Sequence, residues 1–239
     1  MNPMACYRVS SGMRTRLLTA AVLFAASAAA RPAHAQTTTV DEGSFTVTRA
    51  GRTGREDFRI VRVASPNVVL VGTGTSVNGT ARVVAVIRTD TTGAPLDFQL
   101  DGRESNEVRE RITIQGTRDR LAARSQSPRG ESAREYFLRP GMAIFDDEFA
   151  HQYYFLTLQR RDVLAAVLPR RNELAQLHVL SKGDDVIEIA GTRVTAHHYV
   201  VSDAGGERQL WTDASGKVLR VEAPALAFTA VRDALPADR

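Results

Sequence analysis

Asp147 and His151 stand four residues apart, the separation at which a helix stacks one side chain over another. A carboxylate there could orient an imidazole, as in half of a catalytic or metal site. The same spacing also describes a surface helix contact, because no second ligand or nucleophile stands at a fixed distance from the pair. His178, His197 and His198 are the other histidines beyond position 35. Adjacent strand residues point to opposite faces, so His197 and His198 do not share one metal unless a bulge intervenes. His198 falls on a face with Val194, Ala196 and Val200 and reads as a hydrogen-bonded core histidine. Asp146-Asp147-Glu148 reads as helix-start chemistry rather than as a divalent-ion site.

Nucleophiles fare no better. The sequence has neither a Gly-x-Ser-x-Gly elbow nor a Ser-x-x-Lys pair, and Asp213-Ala214-Ser215-Gly216-Lys217 has the composition of a hairpin turn. Gly72-Thr73-Gly74 runs into Thr75-Ser76-Val77, without the third glycine or the helix of a dinucleotide fingerprint; close strand packing or a bulge accounts for these glycines. Cys6 is the single cysteine and lies near the start of the chain. Beyond it there is no thiol for a disulfide, a thiolate metal site, an iron-sulfur cluster or a cysteine nucleophile. No catalytic residue, metal ligand or cofactor is therefore assigned.

The formal charge of +4 belongs to the first 35 residues, which hold Arg8, Arg14, Arg16 and Arg31 and no acid; the rest carries 27 basic and 27 acidic side chains. A neutral remainder lacks the footprint of a nucleic-acid binder. Arg14 and Arg16 precede the apolar run Leu17 to Ala30, and Ala33-His34-Ala35 follows with small residues where a signal peptidase reads. This predicts a secretory signal peptide over 1–35, cleaved near Ala35-Gln36, and a periplasmic or extracellular destination. The run is shorter than the ~20 residues that cross a bilayer, so no transmembrane anchor is expected. Cys6 is not at the cleavage point, which argues against a lipid anchor. Met1 and Met13 both stand as candidate starts. The 29 arginines against 2 lysines fit a GC-rich bacterial genome.

Residues 36–239 are expected to form one domain with a core at about 43–224. Short runs of alternating polarity, broken by turn residues, fill the stretch from Gly43 to Leu138 and predict antiparallel strands. Ala50 to Gly54 is the first expected turn, Ser65-Pro66-Asn67 a second and Asn78-Gly79 a third. In Pro95 to Asp101, Leu96, Phe98 and Leu100 alternate with Asp97, Gln99 and Asp101. A helix is expected from Asp146 to Arg161, acidic at its start and basic at its end, with a second short helix over Asp162 to Leu168. Strands resume at Leu177 to Leu180, Val186 to Ala190, Arg193 to Val201, Glu207 to Thr212 and Lys217 to Glu222, and the tail after Pro224 is expected to be ordered only in part. Seven of the thirteen aromatics beyond position 35 fall between Tyr136 and Phe155. A wide apolar arc needs burial on more than one side. The expected fold is mainly β: a strongly curved antiparallel sheet of about 10–11 strands, an open or half-closed barrel, wrapping an aromatic helix.

That arrangement, with the leader, the run Phe145 to Leu158, and the closing Arg208-Gln209-Leu210-Trp211-Thr212-Asp213 and Gly216-Lys217-Val218-Leu219-Arg220-Val221-Glu222, resembles an exported bacterial family of unknown function. Its curved sheet is similar to that of the periplasmic lipoprotein carrier and its outer-membrane receptor, and to the sensor domain of a sigma-factor regulator. The resemblance covers about Gly43 to Pro224 and implies a fold and an apolar ligand or membrane-facing client; no residue role is carried over. The leading functional reading is a non-enzymatic carrier of a lipid, acyl chain or hydrophobic client, its pocket lined by Phe98, Phe149, Tyr153, Phe155 and Trp211. For any one of those side chains, filling a dry core is the simpler reading, because inward positions of small barrels are normally filled. The alternatives are an envelope scaffold or stress sensor that binds another protein, and a hydrolase or metal-dependent enzyme centred on His151 with Asp147.

Overall fold

The computed structural model describes residues 36–64 and 67–237. The leader, with Cys6, Met13 and the expected cleavage point, lies outside the described residues, as do Ser65 and Pro66 of the second expected turn. Among the described residues the strands are β1 (Gln36–Arg49), β2 (Arg52–Ala64), β3 (Val68–Asn78), β4 (Ala81–Asp90), β5 (Pro95–Glu104), β6 (Glu107–Gly116), β7 (Arg120–Ser127) and β8 (Gly130–Phe137), then β9 (Met142–Ile144). A 3-10 turn (Ala150–Gln152) runs into the helix α1 (Tyr153–Leu158). There follow β10 (Val163–Leu168), β11 (Glu173–Ile189), β12 (Thr192–Asp203), β13 (Gly206–Thr212), β14 (Val218–Ala223) and β15 (Phe228–Arg232). No helix among them is long and apolar enough to cross a membrane.

All fifteen strands belong to one sheet, ordered β8 through β1 and then β15 back through β9. Two meanders thus grow outward from the antiparallel pair β1–β15. Every pairing is antiparallel except β9 with β10. The sheet is strongly curved and stays open: β8 and β9 end it on either side without pairing to each other. Side chains span part of the gap, as Asn172 in the turn before β11 accepts from the Tyr136 hydroxyl (3.1 Å) and from Arg134.

The aromatic segment lies in the hollow. Phe145, Phe149, Tyr153 and Phe155 are buried in one apolar cluster with Phe45, Ile60, Ile87, Phe98 and Leu210 from both halves of the sheet. Alternation explains why these strands curve around it: Phe98 and Leu100 of β5 point inward while Gln99 stays wet. The expected curved sheet around an aromatic helix is therefore the observed architecture, with fifteen strands in place of 10–11.

Local differences have local causes. The first hairpin turns on Ala50 and Gly51, both at positive φ, and Arg49 pairs directly with Arg52, so the turn is two residues rather than five. The expected second short helix over Asp162 to Leu168 is instead strand β10; a six-residue apolar run fits either state, and here it fills the place between β9 and β11. Leu177 to Leu180 and Val186 to Ala190 merge into one strand, β11, which a register shift between Ser181 and Gly183 bends. The helix is shorter than the expected Asp146 to Arg161 because residues 146–149 precede it in a non-helical turn. Beyond Pro224 the chain forms β15 at the centre of the sheet, so the core extends past the expected boundary to Phe228 and Ala230.

Candidate functional site

The seat of the helical segment is built first from what the sheet omits. Side chains at Gly72 and Gly74 of β3 would point at the segment: a Cβ on Gly72 would lie 2.7 Å from the Phe155 ring, and one on Gly74 would enter the His151 imidazole. The paired glycines thus serve close approach, as their sequence context implied. Beside them Glu56 of β2 is wholly buried and accepts from the Ala150 amide (2.8 Å) and the His151 amide (3.0 Å), and its Oε1 lies 2.7 Å from His151 Nδ1. Sequence reasoning passed over Glu56, although alternation places it on the dry face with Phe58 and Ile60.

The expected pairing of Asp147 with His151 does not form. Helical spacing fails because Phe149 is extended, at φ −118° and ψ 117°. His151 turns to Glu56, while Asp147 meets Arg171 and accepts from Arg208 (2.6 Å). The acidic run is likewise no helix start: Asp146 accepts from Arg170 (2.9 Å), and Glu148 pairs with Arg49. Burial works against the charge on Arg170, but Asp146, Glu148 and Glu110 outweigh it and hold its pKa above the ordinary value. Tyr153 is neutral, burial pushing its pKa well above that of a free phenol, and its hydroxyl reaches the Asp147 carbonyl at 3.3 Å.

At the far end of this network burial opposes the charge on Asp203, yet hydrogen bonds from Arg208 and the Gly205 amide, with the charge of Arg171, hold its pKa below the usual carboxylate value. A depressed folded-state pKa contributes stability that is full above the unfolded value of ~3.9 and is lost as pH falls through the folded value. Asp203→Asn is therefore expected to flatten the pH dependence of unfolding free energy below about pH 4. Denaturant titrations at pH 2.5 to 6 measure it; parallel curves for the two proteins would contradict this assignment.

Phe98, Phe149, Tyr153 and Phe155 come together in the dry core, each 2% exposed or less. Trp211 does not join them. It faces the opposite side of the sheet, packed against Ile189, Ala196 and Leu219, stacked on His198 at 4.7 Å with Arg220 over its other face. Parity along β13 explains this, since Leu210 and Thr212 take the inward positions. His198 is held by Asp185 and Gln209 on that outer side, and His197 pairs with Asp184 on the inner one. Among the described residues no group of three or more His, Cys, Asp or Glu side chains could hold a metal ion. Asp213 takes up its own turn, accepting from the Ser215 and Lys217 amides and the Ser215 hydroxyl.

The open space beside the helix lies at its other end. Between α1 and strands β11 to β13 a cleft of about 440 Å³ has Tyr154, Leu158, Val179 and Tyr199 as apolar wall. Thr157, Ser181, Thr212 and Ser215 supply hydroxyls, and Arg160, Arg161 and Asp162 stand at its edge. A broader hollow of about 710 Å³ occupies the outer face, where His178, Leu180 and His198 point. The cleft was not foreseen from sequence. Its residues come from a helix end, a bulged strand and a hairpin turn that only the folded sheet brings together.

Residues 143–232 match a family described as Domain of unknown function (DUF6134). That stretch contains β10 to β15, α1, all but the first residue of β9 and every residue of the cleft. No curated protein matches the chain. Among solved structures, the chain is similar to a beta-barrel-like protein of domain of unknown function DUF1849 from Brucella abortus. That likeness has a TM-score of 0.51 at 8% identity and covers 80% of this chain and 94% of the other. It is a likeness of fold.

Proposed function

We propose that this is an exported, non-enzymatic binding or carrier protein that holds an apolar or amphipathic small molecule in the cleft between α1 and β11–β13. The observation that carries the reading is the cleft itself: its volume falls within the roughly 300–1,000 Å³ of small-molecule sites, and Tyr154, Leu158, Val179 and Tyr199 give its mainly polar lining an apolar wall. The expected leader supports export, and the resemblance of the sequence to the periplasmic lipoprotein carrier family is the ground for an acyl ligand. Phe98, Phe149, Tyr153 and Phe155 act in this reading as the packed floor that holds α1 in place.

Native mass spectrometry and lipid extraction of protein purified from its own host, with displacement of a fluorescent fatty acid, test it. A co-purifying small molecule or displacement supports the reading; a bare mass and no displacement overturn it. Ser181 is exposed at the cleft, so Ser181→Trp is expected to fill it and weaken binding of the fluorescent fatty acid at least about tenfold, the effect of losing about 1.4 kcal/mol. Trp211→Ala on the outer face is the control and leaves binding unchanged.

A second reading, an envelope scaffold, has its own observation. β8 is an end strand with an unpaired edge, and Phe137 at its end is 64% exposed, the arrangement to which an extended protein segment adds as a further strand. Cross-linking in the host separates the two: a stoichiometric protein partner favours the scaffold, a small molecule the carrier.

A further inference from the structure

The edge of the cleft carries charges that apolar binding alone does not require. Arg160 and Arg161 follow Gln159, the residue that caps the end of α1; both line the cleft and are exposed. Neither guanidinium pairs with a carboxylate among the described residues. Of the nearby acids, Asp184 pairs with His197 and Asp213 takes up its own turn, while Asp162 lines both the cleft and the outer hollow, so the two arginines outnumber the one acid at that edge.

Backbone geometry adds a second observation. Arg160 has φ +47°, in the left-handed region where a helix stop normally carries glycine or asparagine. Six other non-glycine residues among those described share that region, so at Arg160 it marks the turn by which the chain leaves α1. The guanidinium of Arg161 rests against Gly141, a residue just before β9 and outside the cleft lining, where an added Cβ would stand 3.0 Å from it.

Resting on the binding role above, we propose that the cleft takes a single-chain amphiphile with a monoanionic head. Arg160 and Arg161 receive the carboxylate or phosphate oxygens, and Tyr154, Leu158, Val179 and Tyr199 cover the chain. Guanidinium is the side-chain group that matches such heads in charge and in paired hydrogen bonds. The volume, at the small end of the range for ligand sites, fits one chain rather than two.

Calorimetric titration of the chain from Gln36 onward with dodecanoate, dodecanol and dodecyltrimethylammonium tests the inference. Dodecanoate is expected to bind about five- to tenfold more tightly than dodecanol, the cation more weakly than either, as charge-assisted contacts at an exposed edge imply. Arg160→Gln with Arg161→Gln is expected to erase the preference while leaving dodecanol affinity and thermal unfolding unchanged. Equal affinity for dodecanoate and dodecanol, or a preference that survives the double substitution, overturns the anionic head and leaves the carrier reading in place. Failure of all three to bind overturns the carrier reading. Titration with lysophosphatidylglycerol against lysophosphatidylcholine assigns the source: preference for the anionic single-chain lipid identifies a lipid headgroup, and dodecanoate binding without it a free acid.

Discussion

Arg232→Ala is expected to lower the free energy of unfolding by about 3–5 kcal/mol, the cost of leaving one member of a buried ion pair without its partner. Arg232 and Asp41 form two parallel bonds of 2.8 and 2.7 Å, with side chains 2% and 4% exposed. The other donors of the same guanidinium reach the carbonyls of Val218 (3.2 Å), Glu42 (2.9 Å) and Ala234 (3.1 Å), so every N–H of the group is used. Its face lies over the Phe58 and Phe45 rings, at 5.1 and 5.9 Å from their centroids. Arg232 belongs to β15 and Asp41 to β1, the two strands whose pairing joins the meanders. Removing the arginine leaves a desolvated carboxylate at that joint. Urea unfolding of the chain from Gln36 onward measures the loss by linear extrapolation. Asp41→Leu with Arg232→Met is expected to recover more than half of it, since an apolar pair of similar bulk removes the charge on both sides. A loss under about 1 kcal/mol for Arg232→Ala would show that the pair contributes no more than a surface salt bridge.

The same pair marks where sequence reading reaches its limit. Strict alternation puts Thr39 and Asp41 on one face, yet the register shift between them leaves Thr39 beside Arg59 on the wet side and turns Asp41 in with Ile60. The bulge between Thr39 and Asp41 has no glycine to mark it in the sequence. Conversely, Phe98 and Leu100 were legible because nothing interrupts the period between them, whereas a register shift leaves Leu96 half-buried and Pro95 inside; the aromatic run from Phe145 was legible because so wide an apolar arc must be enclosed. The expected tail after Pro224 contains only five strand residues, too few for a periodic signal; their place was decided by the free edge of β1. Asp147 and His151 misled because helical spacing was assumed one turn too early. The cleft was illegible for another reason: its parts run from Tyr154 to Gly216 along the chain, and nothing local in Tyr154, Ser181, Tyr199 or Ser215 says that they converge.

Glu56→Ala is the second substitution expected to have a large effect. Three donors, the amides of Ala150 and His151 and the His151 ring, would lose their acceptor in a fully buried site, at about 1–3 kcal/mol for each orphaned group. The arrangement also predicts a coupling that a generic core mutation would not show. Gly74→Ala places a methyl inside the His151 ring, which Glu56 prevents from moving aside, and is expected to cost about 3 kcal/mol by overpacking. His151→Ala alone opens a cavity and destabilises as well. Together, however, the new methyl occupies space the ring has vacated, so Gly74→Ala with His151→Ala should be less destabilising than the sum of the singles by at least about 2 kcal/mol. Strict additivity in urea unfolding would sink the idea that Gly74 exists to admit the histidine. The seat also fixes the start of α1, whose next residues include Tyr154 of the cleft wall. Glu56→Ala, far from the cleft but behind the helix that forms one side of it, should therefore weaken fatty-acid binding under conditions where the variant is still folded, whereas Trp211→Ala, on the other face of the same sheet, should not.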